Sequence, residues 1–428
     1  MALNLKKYQA ALQYLDSIFQ RTKFDYLVGD KQGELFLKRL AYFLKLLGNP
    51  EKKLKFIHVG GTSGKGSVAT MIQSILTEAG YRVGLYTSPE ITTAIEKIKI
   101  DNRLISPNDF VNLVNELKPM IDWATAHSPY GCPSYFEIWT ALALLYFWRK
   151  KCDYVVLEVG LGGRYDATNI IPPAVATVIN LIDYDHTEIL GHNLKKIAFE
   201  KAGIIKPGTH FFTITQRPAV LAVFRQTCHQ HKVPFNLIQP AKQIYQLNLL
   251  GQHQQNNAAL AVAVAKFLGI SLIKIKRGLV KVKLPCRLEI VQKKPLIVLD
   301  GAHNTSKMTT TLAAIKSLTY QKLYFIIALT SGRPVEEITA GIRKVADQIL
   351  VTGYRSTQRH CYSPQQLAKQ MGCSKKVKVI PDPVKALQLV LKLAKPQDLI
   401  VVTGSFYLAG QLRRHWRSET KILKERTV

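Results

Sequence analysis

The segment from His58 to Val68, HVGGTSGKGSV, places four glycines and one lysine between two patterns of different period. Residues 54–59 form an apolar run rich in β-formers, whereas the apolar positions after the glycines recur at helical spacing until Gly80. This order predicts a strand, a loop and a helix. In that setting the glycines let backbone N–H groups approach phosphate oxygens, and Lys65 can reach the outer phosphates. The segment therefore predicts a phosphate-binding cradle for a nucleotide.

The cradle departs in two places from the common pattern G-x-x-x-x-G-K-[ST]. Val59 stands where the first glycine is expected, and Gly66 follows Lys65, so Ser67 carries the hydroxyl one position late. A glycine-rich turn that only joins a strand to a helix remains the alternative for this segment taken alone. As a cradle, its nucleotide-contacting positions are Gly61, Thr62, Ser63, Gly64, Lys65, Gly66 and Ser67.

Short β-rich runs alternate with helical patterns along most of the chain, which is typical of parallel sheets covered by helices. Residues 1–50 predict two amphipathic helices around a loop at 23–33. Strands are expected at 54–59, 82–86, 154–159, 174–181 and 210–215, and in a second series at 296–299, 324–328, 348–352, 377–380 and 398–403. We expect an α/β protein with an N-terminal P-loop ATPase domain containing a mostly parallel sheet, residues 1–290. A C-terminal Rossmann-like α/β domain, residues 291–428, would follow, with a ligand crevice between the two.

Lysine and arginine outnumber aspartate and glutamate by 59 to 29, which gives a formal net charge of +30. A basic protein attracts polyanions, and these include nucleic acids, ATP and substrates with several carboxylates. The cations are spread along the chain in pairs such as Lys52-Lys53, without a dense basic and aromatic stripe. We interpret the charge mainly as a solvated surface and predict no nucleic-acid partner.

Neither the first residues nor any internal segment predicts membrane association. The start, MALNLKKY, is charged, and no uncharged apolar run approaches the length of about 18 residues that a membrane span needs. The six cysteines are scattered without a C-x-x-C pair, which argues against a disulfide framework or a structural zinc site. We expect a soluble cytoplasmic protein with reduced cysteines.

Polar side chains follow the predicted strands at the edge where the cradle lies. Ser88, Glu158, Asp185 and His186 come after successive strands of the first series. Ligands of open α/β sheets bind beyond the carboxyl ends of the strands, so we expect these side chains near Lys65 as a constellation for Mg²⁺ and phosphate. Taken singly, each has an ordinary explanation as a turn cap, a salt-bridge partner or a loop hydrogen bond.

Further motifs occur in order along nearly the whole chain. They are HVGGTSGKGSV at 58–68, YTSP at 86–89, VLEVGLGGRYDATN at 156–169, DHTEILG at 185–191, EKAGIIKPG at 200–208, GQHQQNNAA at 251–259, DGAHN at 300–304 and VTGSFYL at 402–408. Together they resemble the folylpolyglutamate synthase/dihydrofolate synthase branch of the Mur ligase family.

The resemblance implies an ATP-dependent amide ligase that also requires Mg²⁺. ATP would phosphorylate a substrate carboxylate, and the amino group of L-glutamate would then displace phosphate from the acyl phosphate. The acceptor would be dihydropteroate, a reduced folate, or both, and the motifs leave this choice open. The resemblance also implies a monomer.

The resemblance implies residue roles position by position. Lys65, His186, Lys201 and His303 match catalytic positions, and Lys201 matches a lysine that carries a carbamate in relatives. Metal ligands are implied at Ser67, Ser88, Glu158 and His186, further nucleotide contacts at Asn257, Arg287 and Asp300, and substrate contacts at Glu137, Asp300, His303 and Ser405.

Three of these positions keep an alternative explanation. Lys201 is expected near a helix end, where a cation is favourable against the helix dipole. Asp300 precedes a glycine and can be a turn residue. Glu137, in the segment SYFE that opens a helix, can favour that helix start.

Several family motifs are altered in this chain. Ser63 replaces an asparagine, Glu90 a histidine and Cys286 a glycine, and residues 330–335 replace an acidic-basic run. None of these changes removes an implied metal ligand or the phosphate lysine. We expect an active enzyme whose substrate preference can differ from that of its relatives.

Two other functions fit the sequence less well than a folate ligase does. A cell-wall Mur ligase would carry an additional α/β domain before the cradle, and the 57 residues before His58 are too few for it. A nucleic-acid-dependent P-loop ATPase would need a strand that ends in an aspartate beside a second acid, whereas this chain has Glu158 followed by VGLGG. Neither alternative accounts for the ordered motifs.

Overall fold

The computed structural model describes residues 4–22, 33–241, 244–356, 359–372 and 375–428. The strands are β1 (Phe56–Gly60), β2 (Val83–Tyr86), β3 (Ile98–Ile100), β4 (Arg103–Leu104), β5 (Tyr154–Glu158), β6 (Ala176–Ile179), β7 (His210–Ile214), β8 (Phe235–Ile238), β9 (Glu289–Lys293), β10 (Leu296–Leu299), β11 (Leu323–Ile327), β12 (Gln348–Val351), β13 (Val377–Val379) and β14 (Leu399–Thr403). Of the loop predicted at 23–33, residues 23–32 lie outside the described residues.

The helices alternate with these strands. They are α1 (Leu5–Thr22), α2 (Gly33–Leu46), α3 (Lys65–Glu78), α4 (Pro107–His127), α5 (Tyr135–Arg149), α6 (Thr187–Leu190), α7 (Leu194–Ala202), α8 (Pro218–Gln230), α9 (Gln252–Phe267), α10 (Leu272–Val280), α11 (Thr305–Ile315), α12 (Val335–Val345), α13 (Pro364–Gln370), α14 (Pro383–Leu393), α15 (Phe406–Arg413) and α16 (Glu419–Glu425).

The first sheet has the strand order β4-β3-β2-β5-β1-β6-β7-β8. The six strands from β2 to β8 in this order run parallel, and β3 and β4 are antiparallel additions at one edge. All five residues of β1 are buried, as expected of a central parallel strand covered by helices on both faces. The carboxyl ends of β1, β5 and β6 therefore lie side by side, and the loops that follow them meet.

The second sheet has the order β13-β12-β11-β14-β10-β9. Its first five strands are parallel, and β9 pairs antiparallel with β10. Each sheet is covered by its own helices and has its own buried clusters. The predicted α/β class, with a mostly parallel first sheet and a Rossmann-like second domain, is confirmed.

Every strand expected from the sequence overlaps a strand of the structure, whereas β3, β4, β8 and β9 were not predicted. β3 and β4 have only three and two residues. No residue of β8 is fully buried, and β9 begins and ends with a charged residue at the sheet edge. These strands lack the apolar continuity that reveals a buried strand, because each lies at or near an edge.

The two N-terminal helices are confirmed and cover one face of the first sheet. Tyr8, Leu15 and Ile18 on α1 share a buried cluster with Leu40 and Phe43 on α2. The same cluster includes residues of α4 and α5. The helices before the cradle are therefore part of the N-terminal domain core.

Helix α15 of the C-terminal domain contacts the loop that follows β2. Gly410 lies so close to the carbonyl oxygen of Ile91 that a Cβ atom would overlap it. Arg413 donates to Glu289 Oε2 at 2.8 Å and to Thr92 Oγ1 at 3.2 Å. The loop that carries Ser88 is therefore held by both domains.

The described cysteines are not paired with one another. Cys132, Cys152, Cys228, Cys286 and Cys361 are free thiols, and Cys373 lies outside the described residues. In the described part of the chain, every helix is too short or too polar to cross a membrane.

Close packing of α10 on α3 generates a stability prediction. A Cβ atom at Gly278 would lie 2.5 Å from Ile75 Cα and 2.9 Å from Ile75 N. Backbone atoms cannot move aside easily, so Gly278→Ala should lower the free energy of unfolding by about 1–3 kcal/mol, measured by urea denaturation. The control Lys276→Ala, exposed on the same helix, should change it by less than about 0.5 kcal/mol. Equal effects of the two substitutions would contradict the packing argument.

Candidate active site

The glycine-rich loop connects β1 to the first turn of α3, as predicted. Gly61 and Gly64 have φ angles of 134° and 76°, in the region that favours glycine. Helix α3 begins at Lys65, directly after Gly64. A Cβ atom at Gly64 would lie 2.5 Å from Asn257 Oδ1. Conformation and space therefore both require glycine at this position.

Some polar groups of the loop are hydrogen-bonded within the protein, and others are available to a ligand. The N–H groups of Thr62 and Ser63 donate to the Leu181 carbonyl at 2.9 and 3.4 Å, and the Thr62 hydroxyl donates to the Asp183 carbonyl at 3.0 Å. By contrast, Gly64 supplies no side-chain cap for α3, and the buried Ser63 Oγ has no hydrogen-bond partner among the described residues. Phosphate oxygens can satisfy such groups at a helix N-terminus.

A cavity of about 190 Å³ opens beside the cradle and is lined by both domains. The predicted nucleotide positions that line it are Ser63, Gly64, Ser67, Asn257, Arg287 and Asp300. Asn180 Nδ2 donates to Asn257 Oδ1 at 2.7 Å, which joins the loop after β6 to α9. Gly61, Thr62 and Lys65 occupy the loop and the start of α3, and Gly66 lines a second cavity.

The second cavity, of about 50 Å³, brings together two of the predicted metal ligands. The Ser88 N–H donates to Glu158 Oε2 at 3.1 Å. A Cβ atom at Gly66 would lie 3.1 Å from Glu158 Oε2 and 3.2 Å from Arg287 Nη2. Burial raises the pKa of Glu158, while the charges of Lys65 and Arg287 oppose this shift. Hydroxyl, carboxylate and cationic groups therefore surround one small space next to the cradle.

His186 lies beside Asp185, in a cluster that joins the two domains. Its Nε2 is 4.0 Å from Asp185 Oδ1. Arg333 Nη1 donates to Asp185 Oδ1 at 2.9 Å, and Lys307 Nζ lies 3.4 Å from Asp185 Oδ2. Burial opposes ionisation of Asp185, but Lys307 and the neighbouring cations outweigh it and hold the pKa of this carboxyl well below its usual range. Asp185 is therefore an anion shared by both domains.

Asp300 shapes the start of the second-domain part of the site. Its carboxylate accepts hydrogen bonds from the N–H groups of Leu288 and Ala302, both at 3.0 Å, and from the Thr311 hydroxyl at 2.7 Å. Burial raises the pKa of Asp300. Asp300 therefore orders the residues that follow β10 and also lines the nucleotide-side cavity, so its contacts go beyond those of a turn residue alone.

His303 and Ser405 lie on neighbouring loops of the second domain. His303 Nδ1 lies 2.7 Å from the Gly301 carbonyl and Nε2 lies 3.0 Å from Lys307 Nζ. Burial lowers the pKa of His303 well below its usual value, so the imidazole is neutral and its Nε2 accepts from Lys307. Ser405 caps α15, because its Oγ accepts from the Tyr407 N–H at 3.1 Å.

Lys201 is buried near the end of α7, with 5% of its surface exposed. Its Nζ lies 3.5 Å from the Gly162 carbonyl. Burial lowers the pKa of Lys201 to about 7, and the charge of Lys65 acts in the same direction. The amine is therefore partly neutral near pH 7, which is the condition that carbamate formation requires.

A third cavity, of about 480 Å³, lies between α2, α5 and the loop after β5. Its aromatic lining residues are Phe36, Phe136, Tyr165 and Phe199, and its acidic ones are Glu137, Asp166 and Glu200. Both oxygens of Glu137 accept from Arg39, at 2.8 and 2.9 Å. Glu137 also forms a capping box with Ser134, so the helix-start explanation is correct while Glu137 still lines the cavity.

The altered family positions have structural explanations. Glu90 pairs with the buried Lys97 at 3.0 Å. Cys286 has a φ of 52°, in the left-handed region that favours glycine, and it is fully buried. Within residues 330–335, Arg333 is the side chain that binds Asp185.

Several residues of the site were not predicted from the sequence. Lys307, Arg39, Asn180 and Lys99 carried no motif signal beyond their charge or polarity. Arg39 could have been suspected, because it interrupts the apolar face of α2. The others are recognisable only from the loops that the fold brings beside them.

Two curated relatives are similar to this chain over most of their length. A dihydrofolate synthase/folylpolyglutamate synthase of Bacillus subtilis is 33% identical over 413 residues, covering 88% of this chain and 94% of the relative. A dihydrofolate synthetase of Saccharomyces cerevisiae is 31% identical, covering 89% of this chain and 97% of the relative. The similarity therefore spans both domains.

Domain models and solved structures agree with these relatives. Residues 59–214 match the Mur ligase middle domain, and residues 286–406 match the Mur ligase glutamate ligase domain. A folylpolyglutamate synthase of Mycobacterium tuberculosis, solved in complex with ADP, superposes with a TM-score of 0.87 at 28% identity, covering 96% of this chain and 99% of that one. The chain therefore belongs to the dihydrofolate synthase/folylpolyglutamate synthase family of Mur ligases.

Proposed function

We propose that this chain ligates L-glutamate to dihydropteroate and also to reduced folates, consuming ATP and releasing ADP and phosphate. Family membership makes it an ATP-dependent acid–amino-acid ligase. One observation carries the proposal: the phosphate cradle follows β1, Glu158 ends the neighbouring strand β5, and the loop after β5 forms part of the aromatic third cavity, so that the phosphate site and the cavity adjoin. The B. subtilis relative, named for both activities, supports it.

Mg²⁺ fits the oxygen-rich groups next to the cradle. Ser67, Ser88 and Glu158 would hold it, with His186 on the adjoining loop. Among the described residues, no three of the histidine, cysteine, aspartate and glutamate side chains form a cluster that could hold a metal. Nucleotide phosphates and water would complete the octahedral shell that Mg²⁺ favours. The ion would neutralise charge on the phosphoryl group during transfer.

The third cavity is proposed to hold the pterin ring of the acceptor. Its volume of about 480 Å³ lies in the usual range for small-molecule sites. Phe36, Phe136 and Tyr165 provide faces for a flat bicyclic ring. The Glu200 carboxylate in the cavity wall can accept hydrogen bonds from ring N–H and amino groups. The cavity borders Gly162, whose carbonyl lies 3.5 Å from Lys201 Nζ, and the charge of Lys65 in the cradle acts on Lys201; the acceptor tail would extend in this direction.

The reaction would proceed in two displacements. A carboxylate oxygen of the acceptor attacks the γ-phosphorus of ATP and ADP leaves; the amine of L-glutamate then attacks the acyl carbon and phosphate leaves. Lys65 and Arg287 are placed to stabilise negative charge on the phosphoryl group. His303, Ser405 and Asp300 would position L-glutamate from the second domain. Neutral His303 holds the Lys307 ammonium toward this space.

The choice of acceptor is tested with the purified protein, ATP, Mg²⁺ and labelled L-glutamate. Dihydropteroate, tetrahydrofolate and a nucleotide-linked muramyl compound are supplied separately. Product is expected with the first two. Product with only one of them would reduce the proposal to a single activity, and product with the muramyl compound alone would refute it.

Lys65 is expected to be essential for turnover but not for folding. It occupies the first position of α3 and its charge acts on the buried Glu158. Lys65→Ala should remove about 3 kcal/mol or more of transition-state stabilisation, because a preorganised contact to the transferring phosphoryl group is lost. Steady-state ligase assays and thermal unfolding measure the two effects. Lys55→Ala, exposed before β1, is the control, and comparable activity of the two variants would contradict the phosphate role.

The proposal includes a carbamate on Lys201. Carbon dioxide adds to a neutral amine, and the product is an anion that favours a nearby cation where an ammonium would repel it. Because the pKa of Lys201 is lowered to about 7, the reactive neutral form should increase as the pH rises from 6 to about 8. A carbamate so formed would add negative charge among Lys65, Lys307 and the proposed metal.

Lys201→Ala should therefore lose ligase activity and regain part of it with acetate. Carbon-13 NMR of protein equilibrated with labelled bicarbonate should show a carbamate signal that grows with pH through 7. Lys195→Ala, exposed on the same helix, should keep both activity and signal. An active wild-type enzyme without this signal would refute the carbamate.

Location and assembly complete the proposal. We place the boundary of the two domains near residue 290, at β9. The enzyme would act as a cytoplasmic monomer with small-molecule substrates and without nucleic-acid or membrane partners.

A further inference from the structure

The second cavity contains positive charge that phosphoryl transfer does not use. Lys99 on β3 and Lys283 after α10 line it, together with Ser88, Glu158 and Arg287. A volume of about 50 Å³ admits a carboxylate group but is too small for a nucleotide base or a bicyclic ring. The Lys99 side of this space is therefore suited to a small anion, beside the Mg²⁺ that Ser88 and Glu158 are proposed to hold.

Lys99 has no fixed acceptor in this cavity. Among the residues that the structure describes, none forms a hydrogen bond or a salt bridge with its ammonium group. Burial lowers the pKa of Lys99 to about 8, with Glu96 opposing the shift and Arg413 adding to it. Lys99 is partly exposed, and an anion that enters the cavity beside it gains an ion pair.

Glu96 presents a second unsatisfied group to the same cavity. Its Oε2 accepts from the N–H groups of Ile91 and Thr92, at 2.8 and 3.2 Å. Its buried Oε1 has no hydrogen-bond partner in the described part of the chain. Burial raises the pKa of Glu96, while its two backbone hydrogen bonds and the charge of Arg413 oppose this shift. Val428 completes the wall.

We propose that this cavity, lined by Lys99 and Lys283, binds the acceptor carboxylate that is not activated. The inference rests on the proposed function. A folate acceptor ends in a glutamyl residue with two carboxylates, of which one is phosphorylated. Dihydropteroate ends in a single carboxylate, which the reaction consumes. The cavity therefore favours glutamylated acceptors over dihydropteroate.

The geometry allows one glutamyl residue to reach both the second cavity and the phosphate cradle. Gly66 and Glu158 border the cavity and also adjoin the phosphate cradle. A carboxylate beside Lys99 thus lies close to the carboxylate that receives the phosphoryl group. Most of the wall of the second cavity belongs to the N-terminal domain, which also carries the proposed pterin cavity. We therefore assign the carboxylate in the second cavity to the acceptor and not to the incoming L-glutamate.

The test compares the two acceptors in Lys99→Met, Lys99→Arg and Lys283→Met enzymes. For Lys99→Met, kcat/KM with tetrahydrofolate monoglutamate divided by kcat/KM with dihydropteroate should fall about tenfold or more, as expected when a charged hydrogen-bond partner is lost. Lys283→Met should lower the ratio less, because Lys283 is exposed. Lys99→Arg should keep most of the wild-type ratio, because it keeps the positive charge. Lys281→Met, which removes an exposed lysine paired with Glu78, should leave the ratio within twofold.

The outcomes separate this inference from the proposed function. Wild-type protein that uses neither acceptor refutes the proposed function. An unchanged ratio in Lys99→Met, or a KM for L-glutamate that rises equally with both acceptors, overturns the subsite. Wild-type protein that uses dihydropteroate alone also overturns it. With a wild-type protein that uses only the folate, Lys99→Met must raise the KM for folate and not that for ATP.

Discussion

The carboxylate of Asp185 connects the two domains at the place where they share a site. It follows β6 of the first sheet, and Arg333 and Lys307 of the second domain bind it. Both partners are mostly buried, so loss of either would leave a poorly solvated charge. The cradle lies in one domain and His303 in the other. This ion cluster therefore links the domain that carries the cradle to the domain that carries His303.

Several cations lie close together in the same region. The charges of Lys65 and Lys307 act on Lys201, those of Lys65 and Arg287 act on Lys307, and burial lowers the pKa of Lys201 to about 7 and of Lys307 to about 8. The proposed triphosphate and substrate carboxylates would bring negative charge to these groups. Substrate binding should therefore raise these pKa values again, because an adjacent anion favours the protonated amine.

Much of the fold could be predicted because it depends on local patterns. The apolar run at β1, the glycines of the cradle and the helical spacing of α3 each reveal their element without knowledge of the partner. The capping box of Ser134 and Glu137 is likewise local. Edge strands such as β3 and β9 could not be recognised, since half-exposed short segments carry little apolar pattern.

The sequence by itself determined the α/β alternation, the phosphate cradle and the family, because these are written in residues close together along the chain. Only the tertiary structure decided which distant side chains meet. Arg39 pairs with Glu137 across 98 positions and Asp185 with Arg333 across 148. Such pairs depend on how helices and loops pack, and side-chain type alone does not specify a partner. Lys99 is a further example, because the fold, and not its local sequence, placed it in a small cavity beside the cradle.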